Sequence, residues 1–182
     1  MQDSIQIRPA QPDDAEIAAL LLFSAYTHTQ VTYPLEEDQE SGFIEHLEHF
    51  FRQDNNRFSY QNIRLAEKSD QVVGLVLSFG GRDEERLNAV AGNWLVHESE
   101  DDEWYVDALA VLKDWGRQGI GTRLLQAAEQ QARHHHYAKI ALHVAQENQQ
   151  ALDMYEHLHY VVTRQTTLYQ RPYVRMVKTV AS

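Results

Sequence analysis

The period of the apolar positions changes along the chain, and the clearest change falls between Leu109 and Ala128 (LAVLKDWGRQGIGTRLLQAA). An apolar run gives way to a polar turn, then to Gly119-Ile120-Gly121, then to a helical repeat with Leu124, Leu125 and Ala128 on one side. This predicts a strand, Trp104 to Val111, that enters an amphipathic helix through a glycine-bearing turn. Upstream, Ser4 to Arg8 alternates as a short strand stopped by Pro9, and Gln11 to Asp14 caps a helix from Ala15 to Tyr26. A loop from Thr27 to Asp38 and a second helix over Gln39 to Arg52 follow. Arg64 to Glu67 and Gln71 to Phe79 pair as strands around Lys68-Ser69-Asp70. Gly80 to Val90 reads as a loop or a short helix, and Asn93 to His97 extends a strand. After the main helix come a strand (Lys139 to Ala145), a helix (Gln149 to His157), and two strands, His159 to Thr167 and Pro172 to Val180. Neither repeat, low-complexity segment nor linker interrupts this order, so residues 1–182 are expected to form one mixed α/β (α+β) domain.

Composition narrows the chemistry. The chain has 182 residues and no cysteine, which excludes disulfides, thiolate catalysis and thiolate metal sites. It opens on no signal-peptide pattern and holds no apolar run of membrane-spanning length, so a soluble cytoplasmic protein away from membranes is expected. The formal net charge of −11 argues against nucleic-acid binding and is compatible with a cationic substrate. Glu98 to Glu103 (ESEDDE) carries five acids in six residues and is expected to be exposed, as a solvated turn or as the rim of a cation pocket. His46 and His49 are three apart, not four, and lack a third ligand. They read as a solvated helix face, as does His134-His135-His136, and no metal is expected.

A glycine turn at a helix start exposes backbone N–H donors at the positive end of the helix dipole, which suits an anion. The spacing here is neither a Walker loop nor a full G-x-G-x-x-G. It resembles the GNAT acetyltransferases, whose Arg/Gln-x-x-Gly-x-Gly/Ala signature follows a Leu-Ala-Val-like strand end. The resemblance implies that Leu109, Ala110 and Val111 bind the pantetheine arm of acetyl-CoA. It also implies that Arg117, Gln118, Gly119, Ile120, Gly121 and Thr122 hold its pyrophosphate. Gly116 stands at the family's leading Arg/Gln position, with Arg117 next to it to supply the cationic contact. A second stretch, Asn148 to Tyr160 (NQQALDMYEHLHY), resembles the family pattern Asn-x-x-Ala-x-x-Leu/Met-Tyr-x-x-x-Gly-Phe/Tyr, with His159 in the glycine's place. The opening strand-helix pair and the closing Tyr173 to Lys178 extend the likeness over nearly the whole chain.

The implied fold is a central, mostly antiparallel twisted sheet flanked by helices, with a splayed strand pair that holds acetyl-CoA. By the same resemblance Asn148 contacts the CoA arm, and Tyr155 lies near the thioester sulfur as the acid for the departing thiolate. A phenol suits that task chemically. Two residues compete as general base. Asp107 matches an acidic position of polyamine-type members, and His143 falls where peptide N-terminal acetyltransferases carry a glutamate. Glu103 acting through water is a further possibility, and Tyr26, Tyr33 and Phe43 either line the acceptor wall or pack in the core. The expected activity is direct acetyl transfer from acetyl-CoA to a primary amine of a small molecule or a peptide, in a monomer or homodimer. The alternative is a non-catalytic acetyl-CoA-binding regulatory domain of the same fold.

Overall fold

A computed structural model of the protein describes residues 4–28, 37–92 and 95–180. Tyr33 and Asn93 therefore lie outside the described residues. Seven strands form one sheet in the order β1-β2-β3-β4-β5-β7-β6. They are β1 (Gln6–Pro9), β2 (Ile63–Lys68), β3 (Gln71–Gly80), β4 (Trp104–Val111), β5 (Lys139–Ala145), β6 (Val161–Leu168) and β7 (Arg171–Thr179). Every neighbouring pair is antiparallel except β4 and β5. The helices are α1 (Ala15–His28), α2 (Glu37–Phe51), α3 (Glu84–Ala91), α4 (Ile120–His134) and α5 (Gln149–His157). No described helix is long and apolar enough to cross a membrane.

The sheet buries both faces. Leu21, Leu22, Leu47 and Phe51 from α1 and α2 pack with Leu65, Leu75, Leu77 and Tyr105 on one face. Leu124, Leu125, Ala128 and Ala132 from α4 pack with Val73, Val76, Val106 and Met176 on the other. Four α4 apolar residues thus lie on the stripe that the helical period predicts, and all are fully buried. Gly74 on β3 brings α4 close, since a Cβ there would lie 2.8 Å from the Ala110 carbonyl and 3.1 Å from Leu124. The β2–β3 and β6–β7 hairpins each close through two residues at positive φ, Ser69-Asp70 and Tyr169-Gln170, as the twist of paired strands favours.

Several readings change in the structure. Gly80 to Val90 contains the short helix α3, whereas residues 95–97 belong to no strand. The acidic run is not simply exposed. The Glu98 side chain is 8% accessible and Glu103 is fully buried, because each carboxylate meets an arginine: Arg57 for Glu98 and Arg175 for Glu103. Glu100 and Asp102 remain accessible and bond Lys139 at 3.0 and 2.9 Å. His46 is not on a solvated face either. It lies between Phe43, on which it stacks at 6.4 Å, and Phe50, which it meets edge-on at 4.6 Å.

Helices α4 and α5 end alike. Tyr137 N–H donates to the Ala132 carbonyl and His136 N–H to that of Arg133. Tyr160 N–H donates to Tyr155 and His159 N–H to Glu156. Both are Schellman caps, and a histidine sits at each left-handed position, His136 at φ 61° and His159 at φ 68°. The glycine turn of the motif is therefore kept without the glycine, at the steric cost of a Cβ in that region. We predict that His159→Gly raises unfolding free energy by about 1 kcal/mol, measured by urea denaturation. No gain would mean that the His159 side chain offsets its backbone cost.

Candidate functional site

Strands β4 and β5 share only three paired positions, Trp104↔Ile140, Tyr105↔Ala141 and Val106↔Leu142. Beyond them β4 stays with β3, and β5 stays with β7 from His143 to Ala145, so the sheet opens into a cleft. The divergence begins at a bulge. Leu77 pairs with Ala108 and Ser78 with Val106, which leaves Asp107 as the extra residue of β4. The bulge reverses the alternation of the strand. Tyr105 faces the α1–α2 side before it and Ala108 and Ala110 after it, while Leu109 and Val111 turn toward α4. From Asp107 onward the β4 edge has no strand partner on the β5 side, so its backbone groups are open to a ligand.

The turn into α4 lies at the mouth of this cleft. Arg117 takes φ 60° and Gly119, the residue before the helix, takes φ 75°. Alternating left-handed residues ahead of a helix start turn successive N–H groups toward one point, a concavity for anions. Gln118 to Thr122 are exposed or half-buried except Ile120, which anchors the first turn in the core. Gly116 has ordinary backbone (φ −61°, ψ 157°). A Cβ there would sit 3.3 Å from the Lys113 carbonyl, so the turn is tight at the position of the departure.

The second motif converges on the same place. A Cβ at Gly121 would lie 3.5 Å from Met154 Sδ and 3.9 Å from Leu109 Cδ2. One point thus joins the α4 start, the divergent part of β4 and the α5 residue next to Tyr155. The Asn148 side chain caps α5, its Oδ1 accepting from Ala151 N–H at 3.2 Å, which leaves its amide N–H groups for a ligand. Tyr155 is 8% exposed and packs edge-on to Tyr160 at 5.8 Å. Its hydroxyl makes no hydrogen bond among the described residues, and burial alone pushes the phenol up to about 12.

Asp107 and His143 flank the cleft floor on the other side. Asp107 Oδ2 accepts from the Tyr26 hydroxyl at 2.6 Å and from Arg57 Nε at 3.2 Å. Arg57 is the centre of a buried ion cluster, since its guanidinium also holds Glu84 at 3.1 Å and Glu98. Glu84 in turn accepts from the backbone N–H groups of Glu98 and Ser99, at 3.0 and 2.8 Å. Those bonds draw the acidic run inward over α3. The cluster carries three carboxylates and one guanidinium. Burial, opposed by Arg57 and supported by Asp107, pushes Glu98 up to about 7. His143, the first residue of β5 past the shared rungs, has Nδ1 3.0 Å from the Tyr105 hydroxyl. Burial, then the charge of Arg175, pulls its imidazole down to about 4. Tyr169 on the β6–β7 turn completes the wall; burial and the charge of Glu98 push its phenol up.

The arrangement therefore gathers Leu109 to Val111, Arg117 to Thr122, Asn148 and Tyr155 on the α4–α5 side, and Asp107 and His143 on the other side of the strand divergence. Sequence reasoning missed Arg57, Glu84, Glu98, Tyr105 and Tyr169. An isolated arginine in a polar stretch (NNRFS) carries no signal of burial, and Glu98 was hidden in the acidic run. Glu103, the base acting through water in the sequence reading, is instead paired with Arg175 and bonded by the Glu100 N–H at 3.0 Å.

The solved structures that resemble the chain include an N-acetyltransferase from Staphylococcus aureus Mu50, with a TM-score of 0.80, 24% identity, and coverage of 95% of this chain and 100% of that one. A PaiA N-acetyltransferase from Thermoplasma acidophilum, in complex with coenzyme A, gives a TM-score of 0.63 at 14% identity, over 97% and 99% of the two chains. The yncA protein of Salmonella typhimurium, with its cofactor acetyl-CoA, gives 0.64 at 15% identity, over 98% and 95%. These similarities establish a shared fold. No curated protein matches the chain. The model of the Acetyltransferase (GNAT) family matches residues 21–160, and the chain belongs to that family.

Proposed function

We propose that the protein moves the acetyl group of acetyl-CoA directly to a primary amine of a small molecule or a peptide. The observation that carries this reading is the meeting of the open β4 edge, the α4 turn and α5 at Gly121, with a free phenol one residue from the contact. Structural neighbours hold CoA or acetyl-CoA, which supports the same cofactor here. In this reading the pyrophosphate lies on the N–H groups of Gln118 to Thr122. The pantetheine arm adds to the β4 edge as an extra strand would, and Asn148 N–H groups bond it.

The amine attacks the thioester carbonyl carbon as a neutral nucleophile. A new C–N bond forms, the carbonyl becomes an oxyanion, and unpaired β4 N–H groups stabilise it. Collapse breaks the C–S bond, and the sulfur takes its proton from Tyr155, which burial keeps neutral at physiological pH. The proton lost by the amine goes to a base on the other side. His143 is uncharged near neutrality, and with Nδ1–H donating to Tyr105 its Nε2 lone pair is free. Asp107, already bonded by Arg57 and Tyr26, positions this wall, and the excess negative charge of the cluster draws a protonated amine inward. Glu98 offers a second reading for the base, favoured by a carboxyl that titrates close to working pH.

The decisive experiment is thiol release from acetyl-CoA with a panel of polyamines, amino acids and basic peptides. Binding of acetyl-CoA with no thiol release from any amine would leave the non-catalytic alternative. Tyr155→Phe is expected to lower kcat by about 100-fold and to leave acetyl-CoA affinity and stability near wild type, because the hydroxyl has no partner among the described residues to lose. Full activity in that variant removes Tyr155 from the acid role.

A larger side chain at 121 tests the loop. The Met154 contact of 3.5 Å is ordinary, so Gly121→Ala folds normally. Gly121→Leu is expected to weaken acetyl-CoA binding by about tenfold or more, with an unchanged thermal midpoint. Unaltered affinity by calorimetry would refute the loop assignment.

The pH profile of kcat/KM separates the bases, since a base must be deprotonated and the rate falls as pH drops through its pKa. With His143 as base the acid limb lies near pH 4; with Glu98 it lies near pH 7 and vanishes in Glu98→Gln. An amine acceptor that is neutral across the range isolates the enzyme's own groups.

A further inference from the structure

At the opposite end of the sheet, where β2 begins, β3 ends and β4 begins, the C-terminal end of α4 closes a cavity of ≈ 390 Å³. Helix α4 has 15 residues, about 22 Å at the standard rise, so the cavity is well separated from the glycine turn at its other end. Its size is that of a small-molecule site.

The charge of its wall runs against that of the molecule. In a chain of net charge −11, the cavity is lined by Arg64, Arg82 and Arg86 and by one carboxylate, Asp83. Arg86 bonds Asp83 at 3.1 Å. Arg82 lies over the Tyr137 ring at 4.8 Å and has no carboxylate partner among the described residues. Arg64 is half-buried, and among the described residues its guanidinium bonds the Ile63 carbonyl alone, at 3.4 Å. The more deeply buried arginines of the molecule are treated otherwise, since Arg57 and Arg175 both meet carboxylates. Arg64, drawn half out of water with no carboxylate partner among the described residues, carries a cost that a bound anion would offset, and the exposed Arg82 stands beside it.

A second, independent feature lies in the same wall. Trp104 is 8% exposed, and its buried indole N–H has no hydrogen-bond acceptor among the described residues. His135 stacks on its ring at 5.0 Å, with 8° between the planes. Tyr137, 7% exposed, lies edge-on beside it, with the ring centroids 5.6 Å apart. The negative end of the α4 dipole does not oppose an anion here as a bare helix end would. The last carbonyls of the helix, from Gln131 to Arg133, already accept from residues 135–137.

We propose that this cavity is a second ligand site, for a small organic anion whose carboxylate or phosphate is held by Arg64 and Arg82 and whose body packs on Trp104 and Tyr137. The site does not depend on the acetyl-transfer reading. It is tested by calorimetric titration of the full chain with benzoate, adenosine monophosphate, inorganic phosphate and uncharged benzamide, each with and without CoA. The Trp104 indole N–H signal is followed by NMR in parallel.

Benzoate, adenosine monophosphate or both should bind saturably and shift the Trp104 signal, CoA present or absent, whereas benzamide should not. Which of the two binds identifies the head group. Affinity should fall at least tenfold in Arg64→Gln and in Arg82→Gln, and the second variant changes an exposed side chain. The proposal is overturned if neither organic anion binds or if both variants retain wild-type affinity. It is equally overturned if inorganic phosphate binds as tightly as the organic anions or if CoA displaces the ligand.

Discussion

Three shared rungs between β4 and β5 hold the two halves of the sheet together, and the rest of the architecture follows from where they stop. A parallel pair normally continues until one strand ends. Here both strands run on after Val106 and Leu142, each committed to its antiparallel partner. The bulge at Asp107 supplies the change of direction. It also places Asp107 and Ala108 on one side in succession, so that Leu109 turns toward the α4 start. An open sheet edge in the middle of a molecule is a liability unless something covers it. Here the uncovered edge lies beside the α4 turn, and the proposed acetyl-CoA site would use the two as a single surface.

The bulge is held in turn by charge. Arg57 is 1% exposed and is held by Asp107, Glu84 and Glu98. Removing one member of a buried ion network typically costs about 3–5 kcal/mol, because the remaining charges are stranded. That magnitude suits a device that fixes geometry. It ties the segment after α2 to the bulged residue of β4 and, through Glu84, to the stretch after α3. It also leaves more negative than positive charge buried beside the cleft, and burial, with Asp107 adding to it against Arg57, pushes the Glu98 carboxyl above its usual range. The Phe79 ring lies 5.3 Å beneath the Arg57 guanidinium and packs against Tyr105, which backs the cluster with apolar surface.

How much of this was legible in the sequence depends on the range of the interaction concerned. The strands Trp104–Val111 and Lys139–Ala145 and the helix Gln149–His157 were readable to the residue, because each is written as a local period bounded by local stop signals. The turn at Gly119 was readable for the same reason: its left-handed φ is a property of one residue. The ion cluster was not. Arg57 finds its partners 27, 41 and 50 residues away, and no periodicity encodes that meeting. The acidic run misled for a physical reason too. Like charges in series are normally solvated, and only arginines delivered by distant elements make burial of Glu98 and Glu103 tolerable. His159 shows a third case. The sequence signalled a missing glycine, but whether the turn would change or be kept depended on how firmly Tyr160 is anchored. Tyr160 is 1% exposed, with its hydroxyl on Glu129, so the turn is kept.

The proposed acid raises a question of matching. A phenol pushed up to about 12 is a poor proton donor to a thiolate in water, where a thiol titrates near 8.5. The comparison in water is the wrong one. Burial without any charged partner raises Tyr155, and a sulfur anion formed in the same apolar surroundings suffers the same penalty, so desolvation moves acid and acceptor in one direction. Their difference, which governs the transfer, changes less than either value. An uncompensated hydroxyl is also an idle donor in the resting protein: it breaks no internal bond when a charge develops on sulfur. A phenol tied to a carboxylate, as Tyr26 is tied to Asp107, would have to give up that bond first. Of the buried tyrosines near the strand divergence, Tyr155 is therefore the one whose surroundings leave its proton available.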